Sequence, residues 1–488
     1  MRIIKTITGL LGYEKKGRKR NYQAASIDRL TADWALSYRS ADEELRYSLA
    51  TMRSRSRDLA RNNDYARKYF KMCVANVVGP TGITFQNKSQ NSSGKLDKKA
   101  NDIIEEAFFL WSRKETADVS GRLSHLDQQK LFIETVARDG EVLVRMVKGF
   151  KNEFSFALQF LEADYLDENY NEELRDGNYI KMGIEFDKYQ RPTAYHILTK
   201  HPGDATYCRH GRTYERIHAE DIIHGFVVER PGQSRGVPWM HTAMTRLNMI
   251  AGYEEAELVG ARLGASKMGF FTSPDGDGFM GDDVDDKGSI ITDAEPGTFN
   301  QLPRGTDFKE FDPTHPAGNF PFFIKAMLRG VASGLLISYN SLASDLESVN
   351  YSSIRSGGIE ERDQWKINQS WMIESFCQPV FEGWLRMALL SGAIPLPTDK
   401  FTKFNSPHWN VRGWQWVDPL KDVKASVDAI NNGLKTRSQV VAEQGFDLEE
   451  VFEQLKQEEE LAATYGLSFT QEKVNTGGAE NATQNKKN

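Results

Sequence analysis

Cysteine is scarce in this chain. Cys73, Cys208 and Cys377 are the three in 488 residues. Their odd number and wide spacing exclude a disulfide framework and a cysteine-rich zinc site, and predict a reducing compartment. Long apolar runs are missing too. None reaches the roughly 18 residues that a membrane-spanning helix needs, so no membrane partner is expected. Nor is positive charge in excess, since 62 Lys and Arg face 68 Asp and Glu for a net charge of −6. That balance argues against a general nucleic-acid coat, which binds by neutralising phosphates. Apolar residues make up 39%, below the globular average, so the surface is generous relative to the core. At about 100–200 residues per domain, the length provides for three or four folding units.

Complete catalytic signatures are also missing, although four places come near one. Gly12 and Gly17 have the P-loop spacing, but Arg18-Lys19 stands where Lys-Ser/Thr is required. The phosphate-binding Lys and the magnesium-binding hydroxyl are thereby lost. Asp275-Gly276-Asp277-Gly278 opens like a calcium loop, yet Phe279 takes the third ligand position and Met280 the turn position. Gly232-Gln233-Ser234-Arg235-Gly236 has the Gly-x-Ser-x-Gly form of a nucleophile elbow, with His315 and His408 downstream. Glu229-Arg230-Pro231 separates it from the preceding strand and Pro238 displaces the next helix. A Ser234-dependent hydrolase therefore stands as the alternative function, not the first. His196, His201, Cys208, His210, His218 and His224 crowd together, but their spacings match no zinc template and they read as scattered surface histidines. No catalytic residue, cofactor or metal ligand is assigned, and an enzyme is not expected.

What the chain does contain is alternating helical and strand-like pattern. Residues 1–22 hold the basic run Lys15-Lys16-Gly17-Arg18-Lys19-Arg20, and residues 469–488 are almost free of apolar side chains; both ends read as solvated termini. One helix is expected from Arg55 to Val78, stopped by Gly79-Pro80, and the seven Lys and Arg from Arg53 to Lys71 lie mostly off its apolar stripe, on a solvated face or, in an oligomer, one that meets a neighbour. Helices follow over 98–114 and 126–138, then strands over Glu141–Val147, Phe154–Leu161, Tyr179–Phe186, Thr193–Leu198 and Ile222–Val228. The pair flanking Asp187–Arg191 reads as a hairpin. Beyond Pro238 come a long helix over 239–266, a Gly- and Asp-rich loop unit, and a helix from Phe320 to Ile337. A polar segment then leads into a long helix that Pro379 kinks. Helix–Gly–helix pattern closes the chain, with Gly433, Gly445 and Gly466 as stops. The fold class is α+β.

A set of non-catalytic strings resembles the lambda-type portal proteins of tailed phages, in order, from about residue 50 to 467. They are Arg55-Ser56-Arg57-Asp58-Leu59-Ala60-Arg61-Asn62-Asn63 leading to Val77-Val78-Gly79, Asp139-Gly140-Glu141-Val142-Leu143-Val144, Leu158-Gln159-Phe160-Leu161-Glu162-Ala163-Asp164 and Gly183-Ile184-Glu185-Phe186-Asp187. Arg230-Pro231-Gly232-Gln233-Ser234-Arg235-Gly236-Val237-Pro238-Trp239 is the most specific. Tyr253-Glu254-Glu255-Ala256-Glu257-Leu258 and Trp414-Gln415-Trp416-Val417-Asp418-Pro419 complete the series. Asp64 departs from the pattern, which has Pro after Asn63.

The resemblance implies a ring, usually of twelve subunits, at one capsid vertex of a virion assembled in the host cytoplasm. Double-stranded DNA is packaged and ejected through its channel. Its partners are further copies of itself, the terminase large subunit, capsid and scaffold proteins, and head–tail connector proteins. The expected division is an N-terminal arm (1–50), an α+β wing (51–236), a first stem helix (237–266) and a clip (267–318). A second stem helix, tunnel loop (338–353) and long helix occupy 319–392, a crown-like helical region 393–467, and a tail 468–488. In the loop, Ser341, Ser344, Asp345, Glu347, Ser348 and Asn350 are expected to face DNA; they include no cation that would grip phosphates. In the clip, Asp275, Asp277, Asp282, Asp283, Asp285 and Asp286 are expected to meet the motor through complementary charge.

Overall fold

The structure, a computed structural model, describes residues 37–175, 177–204, 212–265, 269–272, 283–284, 290–291, 307–310, 320–347, 351–414, 419–444 and 448–467, together with 29 and 33. Helix α1 (Ala41–Leu45) is followed by α2 (Leu49–Asn62) and α3 (Asp64–Val77). The single helix expected from Arg55 to Val78 is therefore two. Asn63 breaks it: its backbone is extended, and its side chain accepts a hydrogen bond from the Ala66 N–H as the N-cap of α3. Helical periodicity runs through such a break because both helices bury the same face. The departure at Asp64 is also explained. It occupies the first helical position, where Pro is tolerated and where an acid complements the free N–H groups equally well.

Helix α4 (Lys98–Trp111) and helix α5 (His125–Asp139) follow, α5 opening on a capping box between Ser124 and Asp127. Strand β1 (Thr84–Asn87) precedes them and pairs far along the chain with Pro407–Asn410, a contact with no local sequence signal. Strands β2 (Glu141–Lys148), β3 (Phe156–Leu161) and Ile222–Phe226 form an antiparallel sheet with β2 central. A second antiparallel sheet runs Glu172–Glu173, Tyr179–Lys181, Ile184–Phe186, Pro192–Leu198 and Tyr214–His218 in sequence order. The strand expected over Tyr179–Phe186 is thus itself a hairpin, turned at Met182 and Gly183, both with positive φ. The hairpin across Asp187–Arg191 forms as expected.

The helical part continues with α6 (Met244–Ala265), α7 (Phe320–Gly334), the short α8 (Tyr339–Ala343) and α9 (Tyr351–Met372). At 22 residues, α6 is about 33 Å long. Helix α9 runs through a π turn (Ile373–Cys377) into α10 (Gln378–Ser391), with Pro379 in the first turn of α10. Pro379 has no N–H to donate, and the wider turn ahead of it absorbs the mismatch. Helices α11 (Pro419–Asn431), α12 (Arg437–Glu443) and α13 (Leu448–Thr464) close the described chain. Between α6 and α7 the described pieces are two short antiparallel pairs, Gly269–Thr272 with Asp307–Glu310 and Asp283–Val284 with Ile290–Ile291.

One large core joins α2–α5, β2 and β3 to α7, α9 and α10. Its centre is aromatic: Phe108 meets Trp384 edge-on at 4.9 Å and Phe85 meets Phe381 at 4.6 Å. The Trp111 indole N–H donates to the Phe156 carbonyl at 2.9 Å. Cys73 and Cys377 lie in this core, and burial pushes the Cys73 thiol up to about 12. A smaller core under the five-stranded sheet gathers Leu143, Leu166, Ile184, Tyr195 and Ile217. Among the described residues, no helix is long and apolar enough to cross a membrane.

Candidate functional site: a buried charge junction and a latched loop

Four of the sequence strings meet at one place. Helix α5 ends at Asp139, Gly140 turns the chain with φ 91°, and β2 begins at Glu141. The Arg230–Trp239 segment runs across this turn so closely that a Cβ on Gly236 would lie 2.1 Å from the Gly140 carbonyl oxygen. A Cβ on Gly140 would lie 2.5 Å from the Val237 carbonyl carbon. Neither position has room for a side chain, so the two glycines form a single backbone contact.

Around that contact lies a buried ion network. The Glu141 carboxylate receives Arg235 through Nε at 2.9 Å and Nη2 at 2.6 Å, Arg53 through Nη2 at 2.9 Å, and the Gly236 N–H at 3.0 Å. Arg235 also donates to the carbonyls of Ala163, Leu166 and Met182. One guanidinium thus ties both sheets to the end of α5. Next to it, Asp139 is gripped by two forks, from Arg57 at 3.0 and 2.9 Å and from Arg138 at 2.9 and 3.0 Å. Arg57 reaches on to Asp164 at 2.6 Å. The expectation of a solvated basic face holds for Arg55 and Arg61, which are exposed, and is corrected for Arg53, which is 2% exposed and lies inside because its charge is matched.

Burial acts to raise the Glu141 pKa, but the Arg235 charge and the hydrogen bonds from His224 and Arg235 hold it well below the usual carboxylate range. For His224, burial pushes the pKa below its ordinary value despite the bond to Glu141. Its ring is therefore neutral, with Nε2–H donating to Glu141 at 3.0 Å and Nδ1 left to accept from the Tyr195 hydroxyl at 3.4 Å. The His224 side chain is only 4% exposed, which corrects its assignment to the surface. Nothing in its local spacing announced this; the partner acid is 83 residues away.

The nucleophile-elbow match sits on the rim of the junction. Ser234 is 6% exposed, and its hydroxyl and backbone N–H both donate to Asp42 of α1, at 2.7 and 2.8 Å. Lys181 also pairs with Asp42. The serine docks α1, and the hydroxyl hydrogen goes to a carboxylate where an elbow would present it to His. Glu162, Asp164 and His201 place ligand atoms within 4.8 Å of one another, but Arg57 lies among them, 3.5 Å from Glu162, and supplies the positive charge.

The second feature is the loop after α7. Of its six expected residues, Ser348 and Asn350 lie outside the described residues. Ser338 caps α8, and the Ser341 hydroxyl donates to Glu361 of α9 at 2.8 Å. Asp345 accepts from Lys325 of α7 at 2.8 Å and from the Tyr339 hydroxyl at 2.9 Å. Those two bonds, Lys325 first, hold its pKa down at about 2. Lys68 of α3 donates to the Ser344 hydroxyl, and Ser344 has a left-handed backbone. Glu347 is left exposed. Within the chain, three of these side chains act as fasteners, a role their polarity alone did not reveal. Asp283 lies on a two-residue strand between α6 and α7, whereas Asp275, Asp277, Asp282, Asp285 and Asp286 lie outside the described residues.

Comparison with known proteins gives this architecture relatives. The family model described as phage portal protein, lambda family, matches residues 28–369. The probable portal protein of Halomonas phage phiHAP-1 is 36% identical over 447 residues, covering 90% of this chain and 86% of its own. Portal protein B of Escherichia phage lambda is 21% identical over 468 residues, covering 86% and 85%. Among solved structures, a chain from the neck of an empty gene transfer agent particle aligns with a TM-score of 0.43 and 13% identity, over 80% of this chain and 93% of that one. The matched region contains the whole charge junction, and on the family model and the 36%-identical relative, this chain belongs to the phage portal protein family.

Proposed function

We propose that the chain is a lambda-type portal subunit that assembles into a ring at one vertex of a phage or prophage capsid. Double-stranded DNA passes through its channel, the terminase motor docks on it, and head–tail connector proteins later take the motor's place. It acts without catalysis of its own, the motor supplying the work. On this reading residues 51–236 are the wing, α6 and α7 the stem, 267–318 the clip, 338–353 the tunnel loop and 393–467 the crown.

One observation carries the self-assembly. Helix α6 mixes polar and apolar residues on every side, and Met249 and Leu258 are 69% and 62% exposed, with Phe322 of α7 at 74%. A helix with no polar face is built to be covered on more than one side. In a ring its uncovered sides meet neighbouring copies, and the apolar deficit of the single chain is made up between subunits. The clip acids suit a basic motor surface by steering its approach.

Negative-stain imaging of the purified full chain tests this. Rings with a central pore are the expected result. A monomer with esterase activity abolished by Ser234→Ala would establish the hydrolase alternative instead.

A further inference from the structure

The two ends of α5 carry complementary surfaces, and we propose that an acidic, aromatic ridge near its N-terminus on one copy seats in a basic groove near its C-terminus on the next. This rests on the ring reading above and names a contact within it. The groove has a volume of about 460 Å³, and Arg61, Arg67 and Lys71 line it together with Ala60 and Phe70. Arg57 and Arg138 also line it but are committed to Asp139. Lys71 pairs with Glu134 at 2.8 Å. Arg61 and Arg67 are exposed and have no acid partner among the described residues. Glu162 lines it as well, 3.5 Å from Arg57, so both of its acids are paired and the groove holds two unused guanidinium groups.

The ridge is on α4. Asp102, Glu106, Phe109 and Leu110 are exposed at helical spacings of three and four, which puts them on one face. Phe109 is 68% exposed, with Arg113 over its ring at 5.9 Å. A large aromatic beside exposed carboxylates suits a groove that offers unpaired guanidinium groups. The C-terminal end of α4 meets the start of α5, where the His125 N–H donates to the Ser112 carbonyl at 2.9 Å and Phe108 packs on His125. Glu134 and Arg138 of the groove lie in the last turns of α5. Ridge and groove are thus separated along a helix of 15 residues, about 22 Å long. Two different patches set head to tail make a heterologous contact, the type that closes into rings. A nucleic-acid duplex is the weaker occupant, being too broad to enter a pocket of this size.

The test uses the full-length chain with Cys208→Ser, the other two thiols being buried. Combining Arg67→Cys with Glu106→Cys should give a ladder of cross-linked copies on oxidation, which neither single variant forms. Arg67→Glu and Glu106→Arg should each lower the assembled fraction about tenfold by placing like charges together, and the double variant should recover it. Circular dichroism of each variant separates misfolding from lost contact. Rings that form normally with Arg67→Glu, or rings without a cross-linked ladder, would overturn the contact while leaving the ring reading intact. A parent protein that stays monomeric would overturn the ring reading itself. Loss of duplex binding by Arg67→Glu with rings unchanged would assign the groove to nucleic acid, and the contact would again be overturned.

Discussion

Arg235 and Glu141, 94 residues apart, face each other with Nη2 2.6 Å from Oε1, and neither side chain has any exposed surface. Such a pair is costly to desolvate and is held by the completeness of its hydrogen bonding. Removing one partner leaves the other buried with its charge and hydrogen bonding only partly matched. Arg235→Met or Glu141→Gln should therefore cost about 3–5 kcal/mol, seen as a lowered urea midpoint. A loss below ~1 kcal/mol would mean that the network is not a unit.

Acid should loosen the same junction, and the sign follows from its two titrating members. His224 is held below its ordinary value, so below about pH 6.5 the unfolded chain takes up a proton that the folded chain refuses. Stability falls as pH falls. Glu141, also held low, contributes stability that is complete above about pH 4.3 and disappears as pH drops through its folded value. The urea midpoint should be flat from pH 8 to 7 and decline from pH 6.5 downward. His224→Gln should shrink the first part of that decline, the remainder coming from His125, whose pKa burial lowers to about 4, and leave the second.

The break at Asn63 gives a pair of opposite outcomes. Asn63→Ala removes the cap on α3 and should cost about 1 kcal/mol. Asp64→Pro should fold with stability within about 0.5 kcal/mol of the parent, because the first helical position needs no N–H donor. A collapse of thermal stability in Asp64→Pro would show that α2 and α3 behave as one continuous helix.

Asp345 fastens the loop to α7 through Lys325 and Tyr339. Asp345→Asn should raise hydrogen exchange over residues 338–347 and leave the aromatic core protected. With its pKa near 2, the wild-type latch should hold unchanged down to about pH 4 and open only below the ordinary carboxylate value. Opening at pH 6 would point to a different fastener.

Glu347, the exposed acid of the loop, is the better probe of DNA passage. Glu347→Lys should reduce DNA packaging while rings assemble normally, since a cation there can grip phosphates. Unimpaired packaging by this variant would remove the loop from the channel wall.

Much of the architecture was legible from local pattern alone. The α+β class, the boundaries of α5, the start of β2 at Asp139-Gly140-Glu141 and the stop at Gly433 all follow from periodicity and turn chemistry, which act within a few residues. The strings that mark the family were legible as strings. What held them together was not. Whether Arg53 and His224 lie outside or inside depends on Glu141, and whether Ser234 is a nucleophile or a strap depends on Asp42, 192 positions earlier. A charged or polar side chain is buried only when a partner meets it, and that partner comes from elsewhere in the chain. Local sequence determined where the chain turns and which faces are apolar; the tertiary structure alone decided which charges are matched, because matching is a property of distance in space.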